Sequence, residues 1–508
     1  MEALLLLSAL LLFSNVCASD LHHEVADLKM GGSSYTGFAG PYGLAIHGDY
    51  VAVGAMKDDL RGTTDVGSVT VFKREDASTF KRVRKLNPND GVTRDHFGSS
   101  VAINDKYVVV GAAWQEGRKR FRRFGAVYIF DFEGKLIQKL LPKFEFYKKN
   151  VAMFGWNVAV REDHTIVVSA PWEDIVGKYA SGGVYVYTQL ESGRWDLKQR
   201  IPKPAQESGH FGYGLRLSGD NLIVNGGNPD NGQNVIAVNV FKQNASSGEF
   251  EYRQRIDGVV TFTDQKDDCK RGGCMDVSGG HMVVLSNPHM VSIYQDNGTE
   301  WQKVDTLAVD SIIARFTDSK NVKASVRLQE GVLLIGAWWP NMDNDVESDV
   351  TDDVMFETGA VFVYTLDKES GVWEEQAVLL PEADAEMGDM FGNYIAFDGD
   401  LVLVKHAFHT QLEGSVYVFD LSKEPITTPA PPTQKTLPPT EKEVKRDPPP
   451  KEKKVVPAEP EVQQPEKQAP KTSDTKMAAQ DSASVKQGAC FLSSLLLLAI
   501  STFLLINL

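Results

Sequence analysis

Cysteine is scarce in this chain, four in 508 residues. Cys17 and Cys490 lie in the terminal segments, so the body between them holds only Cys269 and Cys274. Two thiols are too few for a four-ligand zinc site. They bracket Lys270-Arg271-Gly272-Gly273, and in an oxidising compartment a disulfide closing this loop is the natural reading. Positive charge is also short. Lys and Arg number 53 against 68 Asp and Glu, a net charge of −15, which argues against nucleic acid as the partner of the body as a whole. No 3.6-residue apolar period runs along the chain, so a helical repeat is excluded. HExxH, G-x-S-x-G and glycine-rich phosphate loops are absent, and His47, His96, His164, His210, His281, His289, His406 and His409 are scattered. The expectation is a protein that is not an enzyme and carries no cofactor.

Basic residues are missing from both ends as well. Leu4 to Phe13 is apolar and too short to span a bilayer comfortably, and Val16-Cys17-Ala18 offers small residues for cleavage. Residues 1–19 read as a signal peptide. At the other end, Phe491 to Ile506 is apolar with no Lys or Arg after it, as a cytoplasm-facing span would have. Small residues upstream complete the pattern of a glycosylphosphatidylinositol (GPI) attachment signal over 487–508, with Ser482 or Ser484 as the attachment point. A retained transmembrane tail is the alternative. In either case the body is expected at the cell surface, on the extracellular face of the plasma membrane. Asn244-Ala245-Ser246 and Asn297-Gly298-Thr299 are then N-glycosylation sequons.

Residues 421–486 are rich in Pro, Lys, Glu and Thr and hold more than half of the 23 prolines. Such a segment buries too little apolar surface to offset its conformational entropy. It reads as a disordered, extended stalk reaching on the order of 150 Å at about 3.1 Å per residue where stiff.

The remaining body, 20–420, resolves into repeats. Phe97-Gly98-Ser99-Ser100-Val101-Ala102-Ile103 followed by Tyr107-Val108-Val109-Val110-Gly111-Ala112 is one copy. Phe154-Gly155 with Thr165 to Pro171, Phe211-Gly212 with Asn221 to Val224, and Phe391-Gly392 with Leu401 to Val404 are others. Three copies, around Val51 to Ala55, Met282 to Leu285 and Val332 to Ala337, lack the Phe-Gly. A third alternating strand follows each, and a fourth follows six of them. Four strands per unit, repeated radially seven times, predict an all-β, seven-bladed β-propeller. The last unit lacks its fourth strand, and the segment near Leu21 to Leu28 is expected to supply it, since an open ring leaves unpaired edges.

The Phe-Gly opening, the VVVGA strand and the G-x-V-x-V-F strand resemble the FG-GAP repeat, the family that includes the propeller head of integrin alpha chains. The resemblance covers about four hundred residues and implies a binding head. Integrin-type repeats carry a calcium loop between their first two strands. Here the equivalent turns, such as His47-Gly48-Asp49 and Asp398-Gly399-Asp400, hold too few oxygens for a calcium shell. The chain resembles the calcium-free variety, and calcium is not supported by these turns.

In a four-stranded blade the loops joining strands two and three share a face with the blade-to-blade connections. Here that face carries the long loops, where binding sites on rigid scaffolds reside. Arg118, Lys119, Arg120, Arg122 and Arg123 could grip a sulfated glycan or an acidic partner, or form an exposed solvated loop, or offer a dibasic processing site. Trp338 and Trp339 are candidate anchors, with core packing as the alternative. Asp343, Asp345, Glu347 and Asp349 have oxygen density for a divalent cation, or are a solvated acidic loop. The leading expectation is a cell-surface binding or adhesion protein with an extracellular protein or glycan ligand. A calcium- or mineral-associated coat protein and a propeller-based ectohydrolase are the alternatives, since fold does not decide function.

Overall fold

The computed structural model describes residues 20–22, 25–28, 43–116, 123–142, 151–174, 180–207, 209–226, 235–261, 273–287, 290–308, 323–338, 359–381, 390–406 and 415–423. The chain divides into two compact units, Met1–Thr433 and Gln434–Leu508, and all described residues belong to the first. The expected signal peptide, most of the expected stalk, the expected attachment signal with Ser482 and Ser484, Cys269, Trp339 and the acidic segment from Asp343 to Asp349 lie outside the described residues.

The described residues form strands and no helix, arranged as seven sheets. Blade 1 comprises Leu44–His47, Tyr50–Ala55, Ser68–Arg74 and Phe80–Leu86. Blade 2 comprises Ser100–Ile103, Tyr107–Ala112, Ala126–Asp131 and Leu136–Leu140. Blade 3 follows with Val158–Val160, Ile166–Ala170, Gly183–Gln189 and Trp195–Pro202, and blade 4 with Leu215–Ser218, Asn221–Gly226, Val235–Gln243 and Phe250–Thr261. Blade 5 is Met275–Ser278, His281–Asn287, Met290–Asp296 and Trp301–Ala308. Blade 6 is Lys323–Gln329, Val332–Trp338, Ala360–Leu366 and Trp373–Leu379. Blade 7 has Ile395–Asp398, Leu401–His406 and Ser415–Asp420.

The seventh blade takes its outer strand from the N-terminus, as expected. Ala26–Asp27 pairs antiparallel with Ser415–Asp420, opposite Val418 and Tyr417. The Val25 and Leu28 amides donate to the carbonyls of Val418 and Val416, and the Leu28 side chain is buried. The residues just before it do something the sequence does not announce. Asp20–His22 runs parallel to the outer strand of blade 6, with Asp20 opposite Ala377 and His22 opposite Leu379. One short segment thus covers the edges of two neighbouring blades, which protects both from adventitious pairing.

The Phe-Gly dipeptides explain how successive blades lock. Phe97, Phe154, Phe211 and Phe391 are completely buried. Each ring lies roughly edge-on to an aromatic of its own third strand: Phe97 on Tyr128, Phe154 on Tyr185, Phe211 on Phe241, Phe391 on Phe419. The backbone on either side crosses to the preceding blade. The Phe97 amide donates to the Val66 carbonyl at 2.9 Å and the Phe154 amide to the Phe124 carbonyl at 2.9 Å. The carbonyls then press onto glycines. A Cβ on Gly67 would sit 2.1 Å from the Phe97 oxygen, and one on Gly54 would sit 2.1 Å from the Gly98 oxygen. The same approach recurs between Gly111 and Gly155 (2.2 Å) and between Gly336 and Gly392 (2.0 Å). Ser100 Oγ and Ser325 Oγ each donate to the incoming glycine carbonyl at 2.8 Å. The residue before each Phe pays for this approach in backbone conformation: His96, Met153, His210 and Met390 all hold φ between 48° and 54°.

This joint yields a direct test. Gly67 has φ +88° and no room for a methyl group, whereas a Cβ on Gly280 meets nothing within 4 Å. Gly67→Ala should cost roughly 3–5 kcal/mol in denaturant unfolding, from left-handed strain plus overpacking. Gly280→Ala should change stability by less than about 1 kcal/mol. Equal effects would show that the carbonyl–glycine contact does not hold the blades.

Candidate functional site

Two faces of the ring differ as the topology requires. The turns joining the first two strands of each blade are tight. They open on polar residues at one repeated position: His47, Asn104, Arg161, Ser218, Ser278, Gln329 and Asp398. These stitch neighbouring blades together. Asn104 Nδ2 donates to the Arg161 carbonyl (2.9 Å), and Arg161 donates to the Gly219 carbonyl (2.7 Å). The Glu330 amide donates to Ser278 Oγ (3.0 Å), and Gln329 Nε2 to Asp398 Oδ1 (3.1 Å). The Gly48 amide donates to the other Asp398 oxygen (2.6 Å). Five of these seven polar side chains are thus engaged between blades. The sequons lie on the same side, in hairpin turns joining third and fourth strands. Asn297 is exposed and Asn244 half-buried, each accepting backbone amides of its own turn.

The opposite face carries an arc of aromatic rings across blades 2 to 4. Its members occupy two repeated positions. Trp114 and Trp172 each stand two residues beyond the Ala that ends a second strand, Ala112 and Ala170. Trp156 and Tyr213 each follow a docked Phe-Gly. His96 and His210 precede one. The rings touch in series. His96 lies 4.9 Å from Trp114, Trp114 5.2 Å from Trp156, and Trp156 5.9 Å from Tyr213, centroid to centroid. Tyr213 stacks on His210 at 4.8 Å and 11°, and Trp172 meets His210 edge-on at 4.5 Å. Tyr213 and His210 are buried, while the three indoles and His96 are half-buried. The Trp156 indole N–H donates to the Tyr213 carbonyl at 3.1 Å, fixing that ring.

Below the arc lie buried polar anchors. Asp58, Gln115 and Glu173 stand at one repeated position, three residues past Ala55, Ala112 and Ala170. The amide of each donates back to that Ala, and its carbonyl accepts from Gly67, Gly125 and Gly182 respectively. Asp58 pairs with Lys85 at 2.6 Å and Glu173 with Arg200 at 3.0 Å. In blade 4, Glu207 pairs with Arg255 at 2.6 Å. Burial pushes the Glu173 and Glu207 carboxyls upward, and their arginines oppose it.

Of the residues expected to bind, Arg123 is described and exposed. It sits close enough for its charge, with those of Lys57 and Arg94, to add to the burial that holds the His96 imidazole below its ordinary pKa. Arg118, Lys119, Arg120 and Arg122 lie outside the described residues. Trp338 is a correction: it is 1% exposed and packs in blade 6, so core packing, not an exposed anchor, is its role. Trp339 falls at the repeat position of Trp114 and Trp172, two beyond Ala337, and lies outside the described residues. Cys274 is buried, and its expected partner is outside the described residues. Among the described residues no group of three or more His, Cys, Asp or Glu could hold a metal ion. The arc itself was missed by linear reading. Its signal was present: aromatics recur at two fixed offsets from the repeat motifs.

Part of the chain is similar to the FG-GAP repeat. Three segments match that repeat, residues 80–130, 150–187 and 373–419. No curated protein matches the chain. Among solved structures, a candidate 6-phosphogluconolactonase from Bacteroides fragilis is similar at 12% identity and TM-score 0.39, over 66% of this chain and 83% of that one. A candidate 6-phosphogluconolactonase from Bacteroides uniformis matches at 12% identity and TM-score 0.41, over 67% and 85%. A protein of unknown function from Desulfotomaculum acetoxidans matches at 12% and 0.36, over 67% and 89%. At these scores the likeness carries nothing about activity.

The arc predicts a pH effect. Because the folded state holds His96 below its ordinary pKa, its contribution is full above about pH 6.5 and is lost as pH falls through the folded value. His96→Asn, which tolerates the same left-handed backbone, should lose less stability than the parent between neutral and mildly acidic pH. Parallel melting curves for the two proteins across that range would refute it.

Proposed function

We propose that this protein is a cell-surface recognition protein. Its propeller head binds an extracellular protein or glycan through the long-loop face, and the proline-rich segment and a lipid anchor hold that head off the membrane. The observation that supports this reading is the arc of His96, Trp114, Trp156, Tyr213 and Trp172. Half-buried indoles on rigid backbone offer flat apolar area with little rotamer entropy to lose, which is the character of binding hot spots. Arg94 and Arg123, both exposed, stand beside it and add charge for orientation. Glycans at Asn244 and Asn297 would sit on the opposite face and leave the arc clear. The chemistry of the arc favours binding over hydrolysis, because stacked indoles supply contact area rather than proton transfer.

Two experiments address this. The full-length chain is screened against a glycan array and against intact cells, and the hit is re-measured with Trp114→Ala and Trp156→Ala. Each substitution should weaken binding by at least about tenfold, the usual effect of a hot-spot truncation, with little change in melting. Undiminished binding by both variants would remove the arc from the reading. Separately, a phosphatidylinositol-specific phospholipase should release the protein from intact cells. Retention on the membrane would mean the C-terminal apolar run stays as a span.

A further inference from the structure

We infer that the outer strand of blade 1 is a second binding site, for a sulfated polysaccharide. The strand Phe80–Leu86 reads FKRVRKL. It puts Lys81, Arg82, Arg84 and Lys85 on the exposed rim of a protein whose net charge is −15. Cations on an edge strand also guard it against pairing, but the other rims achieve this differently. Trp301–Ala308 carries Lys303 with Asp305, and Trp373–Leu379 carries Glu374 and Glu375. Only blade 1, among the described outer strands, is basic throughout. A register shift between Val71 and Phe72 bulges this strand. Arg84 stands opposite Val71 and Arg82 opposite Phe72, so the cations occupy both sides of the rim. The stem of Arg84 lies close against Gly134 of blade 2, which steadies that guanidinium.

The second observation is a cavity at the end of the same strand. It measures about 310 Å³ and is lined by Arg61, Lys85, Asn87, Asn89 and the glycines Gly91 and Gly134, among others. That volume is in the range of small-ligand sites, which begin near about 300 Å³. Its lining is mainly polar. The amide side chains of Asn87 and Asn89 in that lining suit sugar hydroxyls, which both donate and accept. Two carboxylates meet the row, Asp58 at Lys85 and Glu75 at Lys81, against its four cations, so the strand keeps a positive balance. A row of cations leading into a polar pocket lined by Arg61, Asn87 and Asn89 fits a chain that is both polyanionic and hydroxylated. Sulfates would run along the strand, and one sugar would enter the pocket. This site is built on the outer strand of blade 1, whereas the arc spans blades 2 to 4, and it stands whether or not the arc binds anything.

The test uses the purified full-length chain in detergent with a heparin decasaccharide and its fully desulfated form. The parent should bind the sulfated probe with affinity that falls steeply with salt, and should not bind the desulfated one. Lys81→Gln, Arg82→Gln and Arg84→Gln together should lower affinity at least about tenfold and reduce the salt slope by about one per cation removed. Arg82→Gln alone keeps the rest of the strand intact and should show a single step. Asn87→Ala should weaken binding without changing the slope. Lys303→Gln, an exposed cation of the blade 5 rim, should leave the decasaccharide bound as before. Parental affinity and slope in the triple variant, or equal binding of the desulfated probe, would overturn the proposal.

Discussion

The contact on which this ring depends is a backbone carbonyl resting on a glycine. At four of the blade openings a Phe-Gly segment reaches into the preceding blade, or draws the next one close, at separations that no Cβ would permit. Dispersion and burial alone would let blades slide, since one valine-rich sheet face resembles another. The glycine contact does not allow sliding. It joins one carbonyl to one Cα, and the buried phenylalanine beside it sets the depth. The strain in the residue before each Phe is tolerated because hydrogen bonds and packing on both sides over-determine it.

On one side of the ring other chemistry joins the lock. Blades 5 and 6 open without Phe-Gly, and across blades 4 to 6 the middle of the innermost strand changes. Four blades place alanine at this position, Ala45, Ala102, Ala159 and Ala396, while blades 4, 5 and 6 place Arg216, Asp276 and Arg327. Arg216 lies 3.5 Å from Asp276, whose other oxygen accepts the Leu328 amide at 3.0 Å. Arg327 in turn donates to the Ile395 carbonyl at 2.8 Å. One chain of charge-assisted bonds thus crosses blades 4 to 7. A half-buried ion pair adds little net stability, but a wrong register would strand its charges, so it specifies alignment across blades 4 to 7, including the joints that open without Phe-Gly.

The ring was legible because its constraint is local: a Phe-Gly, an apolar strand and a Gly-Ala recur together, and each has one purpose. Closure by the N-terminus was legible for a different reason, a blade one strand short. The parallel pairing of Asp20–His22 was not, because three residues joined through backbone leave no side-chain pattern. The arc was not legible either. A linear reading groups neighbours, and so it paired Trp338 with Trp339. In the ring Trp338 turns inward, while Trp114, Trp156 and Tyr213, whole strands apart in sequence, are gathered by successive blades.

The arc and the lock are one construction. Trp156 and Tyr213 each follow the docked glycine, and their amides close turns onto Met153 and His210, the strained residues. Trp114 and Trp172 leave the second strand between an alanine and a buried polar residue, Gln115 or Glu173, whose carbonyl holds the glycine on which the next Phe-Gly rests. The backbone under every indole is therefore fixed by the joint between blades, and no flexible loop must be ordered for them to present a common surface. A site carried this way loses little entropy on binding. The same geometry restricts where it can form, because two aromatics can meet across a joint only where both blades carry the motif. Blades 2, 3 and 4 are the described consecutive run that opens on Phe-Gly, and they are where the arc lies.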